Sequence, residues 1–432
     1  MVAQVQPRTA RVVGAQRPLD ERETPHPMAE RGELGERIRL LRRVPRRDPL
    51  HKIYAARDAD DPGNSLPTLL TDAPEGKVNP VVTPVPDPAA MSRKIKEIAL
   101  FLGADVVGIT HLDQAYVYTH RARGSAAEGT KAGDPIVLPH KYAICLGKAG
   151  DFGRYMASAS SISDIEYSHG NTTSMIPTFL LAAYIRQLGY PARWHAYGKG
   201  EVNPMPLAVM AGLGELGRHG MLINEKYSSR LHLTVVTTDL PLEVDQPVDI
   251  GVEEFCRYCK KCARTCPSRS ITFADVKDVY NGVEKWRINV ESCYKHRAAA
   301  GHNCLWCTTS CCYHKMDTWY HKLTIWLLRR TPVPLRPPLV KPLVWVDDLL
   351  WGKRPYVRAR WLDYDSDLDQ RTCQVPGCKA EHKPTFKKRL QRPGRWVQSR
   401  LFPNDGLRPA AAQTNGQRGG VPAGSGPSDG AA

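Results

Sequence analysis

The chain has 12 cysteines, and nine of them fall between Cys256 and Cys312. FCRYCKKCARTCP sets Cys256, Cys259, Cys262 and Cys266 in a C-x2-C-x2-C-x3-C-P run. Three thiolates this close cap one face of a [4Fe-4S] cubane, with backbone amides of the tight turns aimed at the sulfurs. The fourth thiolate points away and serves a second cluster. Cys293, Cys304, Cys307 and Cys311 follow in C-x10-C-x2-C-x3-C spacing. The expected assignment is Cys256, Cys259, Cys262 and Cys311 for cluster one, and Cys266, Cys293, Cys304 and Cys307 for cluster two. Zinc is the competing reading, but zinc sites show paired CxxC knuckles rather than this three-plus-one run. Cys312 stands where such a run has proline and reads as a non-ligand, competition with Cys311 being the alternative. Cys373 and Cys378 in CQVPGC are a weak metal or redox pair or unpaired thiols. Cys145 lies in an apolar strand and reads as core.

Two cubanes carry electrons but do not transform a substrate, so an acceptor site is expected N-terminal to them. DPAAMSRKIKEIALFLGADVVGIT reads as an Asp-capped amphipathic helix followed by a strand. KYAICL and LHLTVVTTDLP read as strands, and IPTFLLAAYIRQLGYPARWHAY as a helix stopped by Gly189, then a strand. The alternation predicts an α/β (α+β) core over 87–250. Residues 1–86 read as a basic, Pro-rich arm, largely disordered, with a short helix near 33–43. The two-cluster segment spans 251–320. A basic stretch over 321–402 wraps the core, its prolines preventing a long helix, and 403–432 reads as a disordered tail.

The length of 432 residues allows several domains and a full-sized core. With 42% hydrophobic and 24% charged residues, collagen, coiled coil and a wholly disordered chain are excluded. No apolar stretch reaches bilayer length, and no secretory or twin-arginine signal is legible, Arg42-Arg43 being followed by Val-Pro-Arg-Arg. A cytoplasmic location is expected. The net charge of +16 suits an acidic electron donor or an anionic lipid surface. HKLTIWLLRRTPVPLRP has the make-up of an interfacial segment or of core packing, so peripheral contact with the inner membrane surface is a further expectation. The basic residues form no nucleic-acid module, and none is expected as a partner.

MSRKIKEIALFLGADVVGIT, AGLGELGRHGMLIN, TTDLPL and FCRYCKKCARTCPSRSI together resemble corrinoid-dependent reductive dehalogenases over roughly 85–355, and WVDDLLWGK resembles that family's tail. GLGELGR beside the cysteine run is shared, in altered form, with the related epoxyqueuosine reductases. The resemblance implies a nitroreductase-like corrinoid-binding core joined to a bacterial two-cluster ferredoxin domain. It also implies cobalamin or another corrinoid held base-off, which agrees with the lack of a D-x-H-x-x-G motif. The activity implied is replacement of halogen by hydrogen on a small organohalide, with electrons from a low-potential ferredoxin or flavodoxin.

Residues 205–235 would cradle the corrinoid, with Gly212, Gly214, Glu215, Gly217, Arg218, His219 and Gly220 in contact. The glycines would let backbone approach a flat macrocycle; packing alone is the plainer account. The family's proton-donating tyrosine is matched by Tyr167 on local motif. Counting back from Gly189-Tyr190 places it instead at Asn171, and the family's amide partner falls near Tyr197, a second candidate acid. Arg230 matches one arginine of the family's R-x-R pair, and His232 stands at the other. An epoxyqueuosine-type enzyme would need an acidic proton donor, and no carboxylate occupies the equivalent place. A non-catalytic electron carrier or sensor is the third reading, motivated by the displaced tyrosine and missing arginine.

Overall fold

The computed structural model describes residues 6–43, 66–71, 75–125, 128–198, 200–314 and 319–351. All of them fall within one compact unit, Met1–Lys383. Cys373, Cys378 and the expected tail over 403–432 lie outside the described residues.

Residues 6–43 of the arm, expected to be largely disordered, follow a defined course. β1 (Arg11–Val12) pairs antiparallel with the strand Val283–Lys285. Thr9 is fully buried, its hydroxyl accepting from the Leu216 amide at 3.1 Å, and Arg8 pairs with Asp249 at 3.2 Å and Glu254 at 2.5 Å. Short strand pairing and charge anchors hold this segment, so no amphipathic period announced it. Helices α1 (Pro25–Glu30) and α2 (Glu36–Arg43) follow, the second where a short helix was predicted. Ala29, Leu34 and Ile38 pack against Tyr294. Helix α3 (Leu66–Thr71) is isolated in sequence.

The core begins with α4 (Pro88–Phe101). Asp87 caps it by accepting from the Ala89 and Ala90 amides at 2.9 and 3.1 Å, with Pro88 in the first turn where its missing N–H costs nothing. β2 (Val106–His111) and β3 (Tyr142–Ala149) pair, then come α5 (Phe152–Met156), α6 (Ser161–Thr173) and α7 (Met175–Gln187). Gly189, at φ +88°, ends α7 before β4 (Ala192–His195). Helix α8 (Pro204–Met210), the hairpin β5 (Glu215–Leu216) and β6 (Leu222–Ile223), and β7 (Leu231–Thr238) complete the core.

The sheet order is β2-β3-β7-β4, and every pair is antiparallel. The core is therefore mixed α+β rather than a parallel α/β sheet. Alternation alone does not separate the two, because β2 joins β3 without a crossover helix and β7 enters between β3 and β4; parallel neighbours would need crossovers. Strand β7 is covered on both faces. Val236 joins the apolar cluster of α4, α7 and β4, and Thr234 bonds Thr178 of α7 at 2.6 Å. Leu231 and Val235 join a second cluster with Cys145 and Leu213. Residues alternate across a strand, so His232 shares the face of Thr234 and Val236, beneath the helices.

The cysteine segment comprises α9 (Val252–Cys259), α10 (Lys261–Thr265), β8 (Asp278–Tyr280), β9 (Val283–Lys285), α11 (Val290–Ala300) and α12 (Trp306–Thr309). Two longer helices pack on it, α13 (Trp319–Arg330) and α14 (Arg336–Trp351). The prolines do not prevent a long helix: α14 runs 16 residues with Pro342 inside it. Pro337 and Pro338 fall in its first turn, where amides lack helical partners anyway. Ile325, Leu328 and Val340 pack inward beside Cys256 and Cys259, while Trp319, Leu323 and Trp326 face outward on α13. Among the described residues, no helix is long and apolar enough to cross a membrane.

Candidate iron–sulfur and substrate site

The structure gathers five thiols around one cavity and brings four others near one another. Cys256, Cys259, Cys262 and Cys311 line one cavity, together with Cys312, Arg218 and His219. Lys260, in the left-handed region at φ 49°, breaks the chain between α9 and α10 and so turns Cys262 toward the same space as Cys256 and Cys259. Cys266, Cys293, Cys304 and Cys307 form the second group: burial, then the neighbouring Cys304, Cys293 and Cys266, push the Cys307 thiol up to about 12. Sulfurs hold backbone donors in both groups, from the Arg218 amide to Cys256 and from the Ser270 amide to Cys266, each at 3.3 Å. Among the described residues, no three His, Cys, Asp or Glu side chains converge on a single-ion point. The first four thiols ring a space instead.

Cys312 lines the first cavity with its sulfur 3.2 Å from that of Cys259. Beside it, Lys261 is only 1% exposed and pairs with Asp347 and, at 2.6 Å, with Asp348. Those two carboxylates belong to α14, so a buried ion cluster ties that helix to the cysteine run.

The glycine-rich loop reaches the same cavity. Arg218 is fully buried. Its Nε donates to the Cys256 carbonyl at 2.8 Å, and its Nη1 to the carbonyls of Thr272 and Ala274 at 2.9 and 2.8 Å. The guanidinium lies 4.7 Å from the Trp286 ring centroid, and Nη2 has no protein partner. His219 also lines the cavity; Nδ1 accepts from the Met221 amide at 3.2 Å, which leaves Nε2–H to face Ser229 Oγ at 3.2 Å. Burial lowers its pKa to about 4, so the imidazole is neutral near pH 7.

The four glycines pack the chain on itself. A Cβ at Gly212 would sit 2.5 Å from the Gln246 carbonyl oxygen, and one at Gly217 2.7 Å from Ile223 Cδ1. At Gly214 and Gly220 it would collide with the Ile223 carbonyl and the Ile288 side chain. The plainer account of the glycines therefore explains why they are glycines. Ser228 offers a different feature. Its hydroxyl is buried and has no protein partner, a hydrogen-bonding group of the kind that a corrinoid's carboxamides engage.

Glu215 is 1% exposed and accepts from the Ile250 and Val252 amides at 2.7 and 3.2 Å, which pins the entry to α9. Burial raises its pKa from 4.5 to about 7. A carboxyl raised in this way weakens the fold as pH climbs from the unfolded value toward the folded one, because the charged form must be buried. Relative to Glu215→Gln, the wild-type protein should lose on the order of 3 kcal/mol between about pH 4.5 and 7, and no more above. Urea unfolding of both proteins at pH 5 and pH 7.5 measures this; a constant difference would contradict it.

The substrate-side candidates separate. Tyr167, on α6, is partly exposed and sets its ring edge-on to His232, centroids 5.3 Å apart. Tyr197 is 48% exposed and lies beside His26 of the arm, centroids 6.2 Å apart. Arg230 donates to the Gly150 and Tyr227 carbonyls at 3.0 and 3.3 Å and packs over the rings of Tyr227 and Phe152. A further tyrosine, Tyr155, which sequence reasoning missed, is buried nearby, and burial raises its pKa well above the ordinary value. Tyr155 sits in the short α5, too brief to show a period. Its hydroxyl lies 2.8 Å from His232 Nε2, and His232 Nδ1 lies 2.8 Å from Asn171 Oδ1. Asn171 and His232, the two departures from the dehalogenase pattern, are thus bonded to each other.

No family model matches the chain. The tetrachloroethene reductive dehalogenase of Desulfitobacterium hafniense is 30% identical over 270 residues, 53% of this chain and 49% of that protein. The epoxyqueuosine reductase of Escherichia coli is 27% identical over 203 residues, 42% of this chain and 52% of its own. A catabolic reductive dehalogenase solved in complex with 3-bromo-4-hydroxybenzoic acid superposes with a TM-score of 0.68 at 28% identity, over 81% of this chain and 49% of that chain. The chain spans about half the length of the dehalogenases it matches. These matches bear out the resemblance carried by the glycine-rich and cysteine motifs.

Proposed function

We propose that this relative of the reductive dehalogenases is a corrinoid- and iron–sulfur-dependent oxidoreductase that replaces a carbon-bound halogen by hydrogen. One observation supports this above the others. The loop that the resemblance assigns to the corrinoid donates, through the Arg218 amide, to the sulfur of a cysteine assigned to cluster one. The electron-carrying and cofactor-holding motifs are therefore contiguous.

The residues present suit the absent groups. Two sets of four thiols suit two [4Fe-4S] clusters. Arg218, whose Nη2 has no protein partner, lines the cavity of thiols, where its charge would face a cluster's negative charge. The 212–229 loop, with the Ser228 hydroxyl, would hold the corrinoid. When bound, the corrinoid would supply the two-electron cleavage of the carbon–halogen bond. This chain's own residues do the rest. Arg218 holds a fixed positive charge against cluster one, favouring its reduced form. Buried cysteines, with Phe255 and Tyr313, line the cavity. Tyr167, partly exposed on α6, supplies the proton. Two electrons from a low-potential ferredoxin or flavodoxin and one proton then balance the loss of halide.

Halide release from a panel of organohalides by the reconstituted protein, with a chemical reductant as electron source, tests the proposal. Tyr167→Phe should lower kcat by about a hundredfold or more, the usual scale for a lost proton donor. Turnover by the wild-type protein that Tyr167→Phe leaves intact would remove Tyr167 from the mechanism. Absence of turnover by the wild-type protein on every halide, with turnover of an epoxide-bearing nucleoside, would favour the epoxyqueuosine-type reading.

A further inference from the structure

Asn171, His232 and Tyr155 form a line of side chains that the mechanism above leaves unused. His232 sits on β7, its ring buried under α6 and its two nitrogens each 2.8 Å from one partner. Gly170 makes this possible, because a Cβ there would collide with the imidazole. Burial lowers the His232 pKa to about 3 and raises that of Tyr155 well above its ordinary value, so both are neutral. A neutral imidazole has one donor and one acceptor. With Asn171 Oδ1 at Nδ1, the ring must carry its proton on Nδ1, and Nε2 must accept from the Tyr155 hydroxyl. The chain is polarised from Tyr155 to His232 to Asn171.

In this arrangement Asn171 faces the ring through its oxygen. Its oxygen is held by the imidazole, so its amino group is the arm left for a ligand. Asn171 is partly exposed, unlike Tyr155 and His232. It follows Tyr167 by four residues on α6 and therefore shares its face. A rigid N–H donor beside a hydroxyl suits an atom that gains negative charge as a bond breaks. We infer that Tyr155 and His232 are positioning residues that fix the Asn171 carboxamide, and that its amino group donates to the departing halogen of the substrate beside Tyr167. The substrate half of this inference rests on the dehalogenase reading; the hydrogen-bonded chain does not.

Nitrogen-15 NMR of histidine-labelled, oxidised, cofactor-loaded protein tests the chain without turnover. The His232 signals are assigned by their loss in His232→Gln. The expected result is a neutral Nδ1–H ring at pH 7, with the Nε2 shift moving in Tyr155→Phe. A ring protonated on Nε2, or a cationic ring, would overturn the inference. Asn171→Asp keeps an acceptor for His232 but removes the amino donor. It should preserve the Nδ1–H tautomer and lower kcat/KM for halide release by about tenfold to a hundredfold, the scale of one hydrogen bond to developing charge. Asn171→Asp turnover equal to wild type would overturn the donor role. An inactive wild-type protein with the expected NMR signature would overturn the substrate half together with the dehalogenase reading and leave the chain standing.

Discussion

Arg218→Met should destabilise the protein by about 3–5 kcal/mol, the range for removing one partner of a buried charged network. The guanidinium is fully buried and satisfies three carbonyls, those of Cys256, Thr272 and Ala274. Methionine follows the aliphatic stem of the side chain and offers no donor, so all three carbonyls lose a partner in a buried site. Packing against Trp286 limits the loss but does not replace the donors. Arg218→Lys should fare little better, because one ammonium cannot reproduce the planar fork that spans these oxygens. Denaturant unfolding of the anaerobic protein measures the effect. A change within about 0.5 kcal/mol, ordinary for a surface substitution, would show that the buried contacts are not made.

Gly214→Ala should be at least as damaging, with a loss of about 3–5 kcal/mol. Gly214 has φ +157°, and a Cβ would meet the carbonyl of Ile223 in the facing strand of the hairpin. A backbone carbonyl in β6 cannot turn aside like the end of a side chain. The loop must therefore open, which disturbs both the Glu215 anchor and the Arg218 approach to the thiols. Gly14→Ala is the control, since nothing lies within 4 Å of its Cβ position. It should stay within about 0.5 kcal/mol of wild type. Equal behaviour of the two variants would contradict the packing assigned to Gly214.

The grouping of the cysteines was the most legible part of the chain, because their spacing is local and survives without any fold. Helix ends were legible for the same reason: Asp87 and Gly189 act through bonds a few residues away. Sheet topology was not, since an antiparallel order depends on which distant strand inserts between β3 and β4. The role of the arm was also hidden, because Thr9 and Arg8 are held by partners more than two hundred residues on. GLGELGR was expected to form a cofactor cradle, and the Cβ positions of its glycines show the chain packed closely on itself. At the substrate side, local motif gave Tyr167 and counting gave Asn171. Both lie on one face of α6, so the two answers describe neighbours. Tyr155 could not be found from its own segment, since only the register of β7 with its neighbours brings His232 beneath α5.

The central claim is that this chain carries two [4Fe-4S] clusters next to a corrinoid. Metal analysis after anaerobic purification and reconstitution with cobalamin tests it most directly. The expected result is about eight irons and one cobalt per chain, with about four irons remaining in Cys256→Ala because the second set of thiols is intact. Eight irons without cobalt would contradict the corrinoid enzyme and leave an electron carrier or sensor.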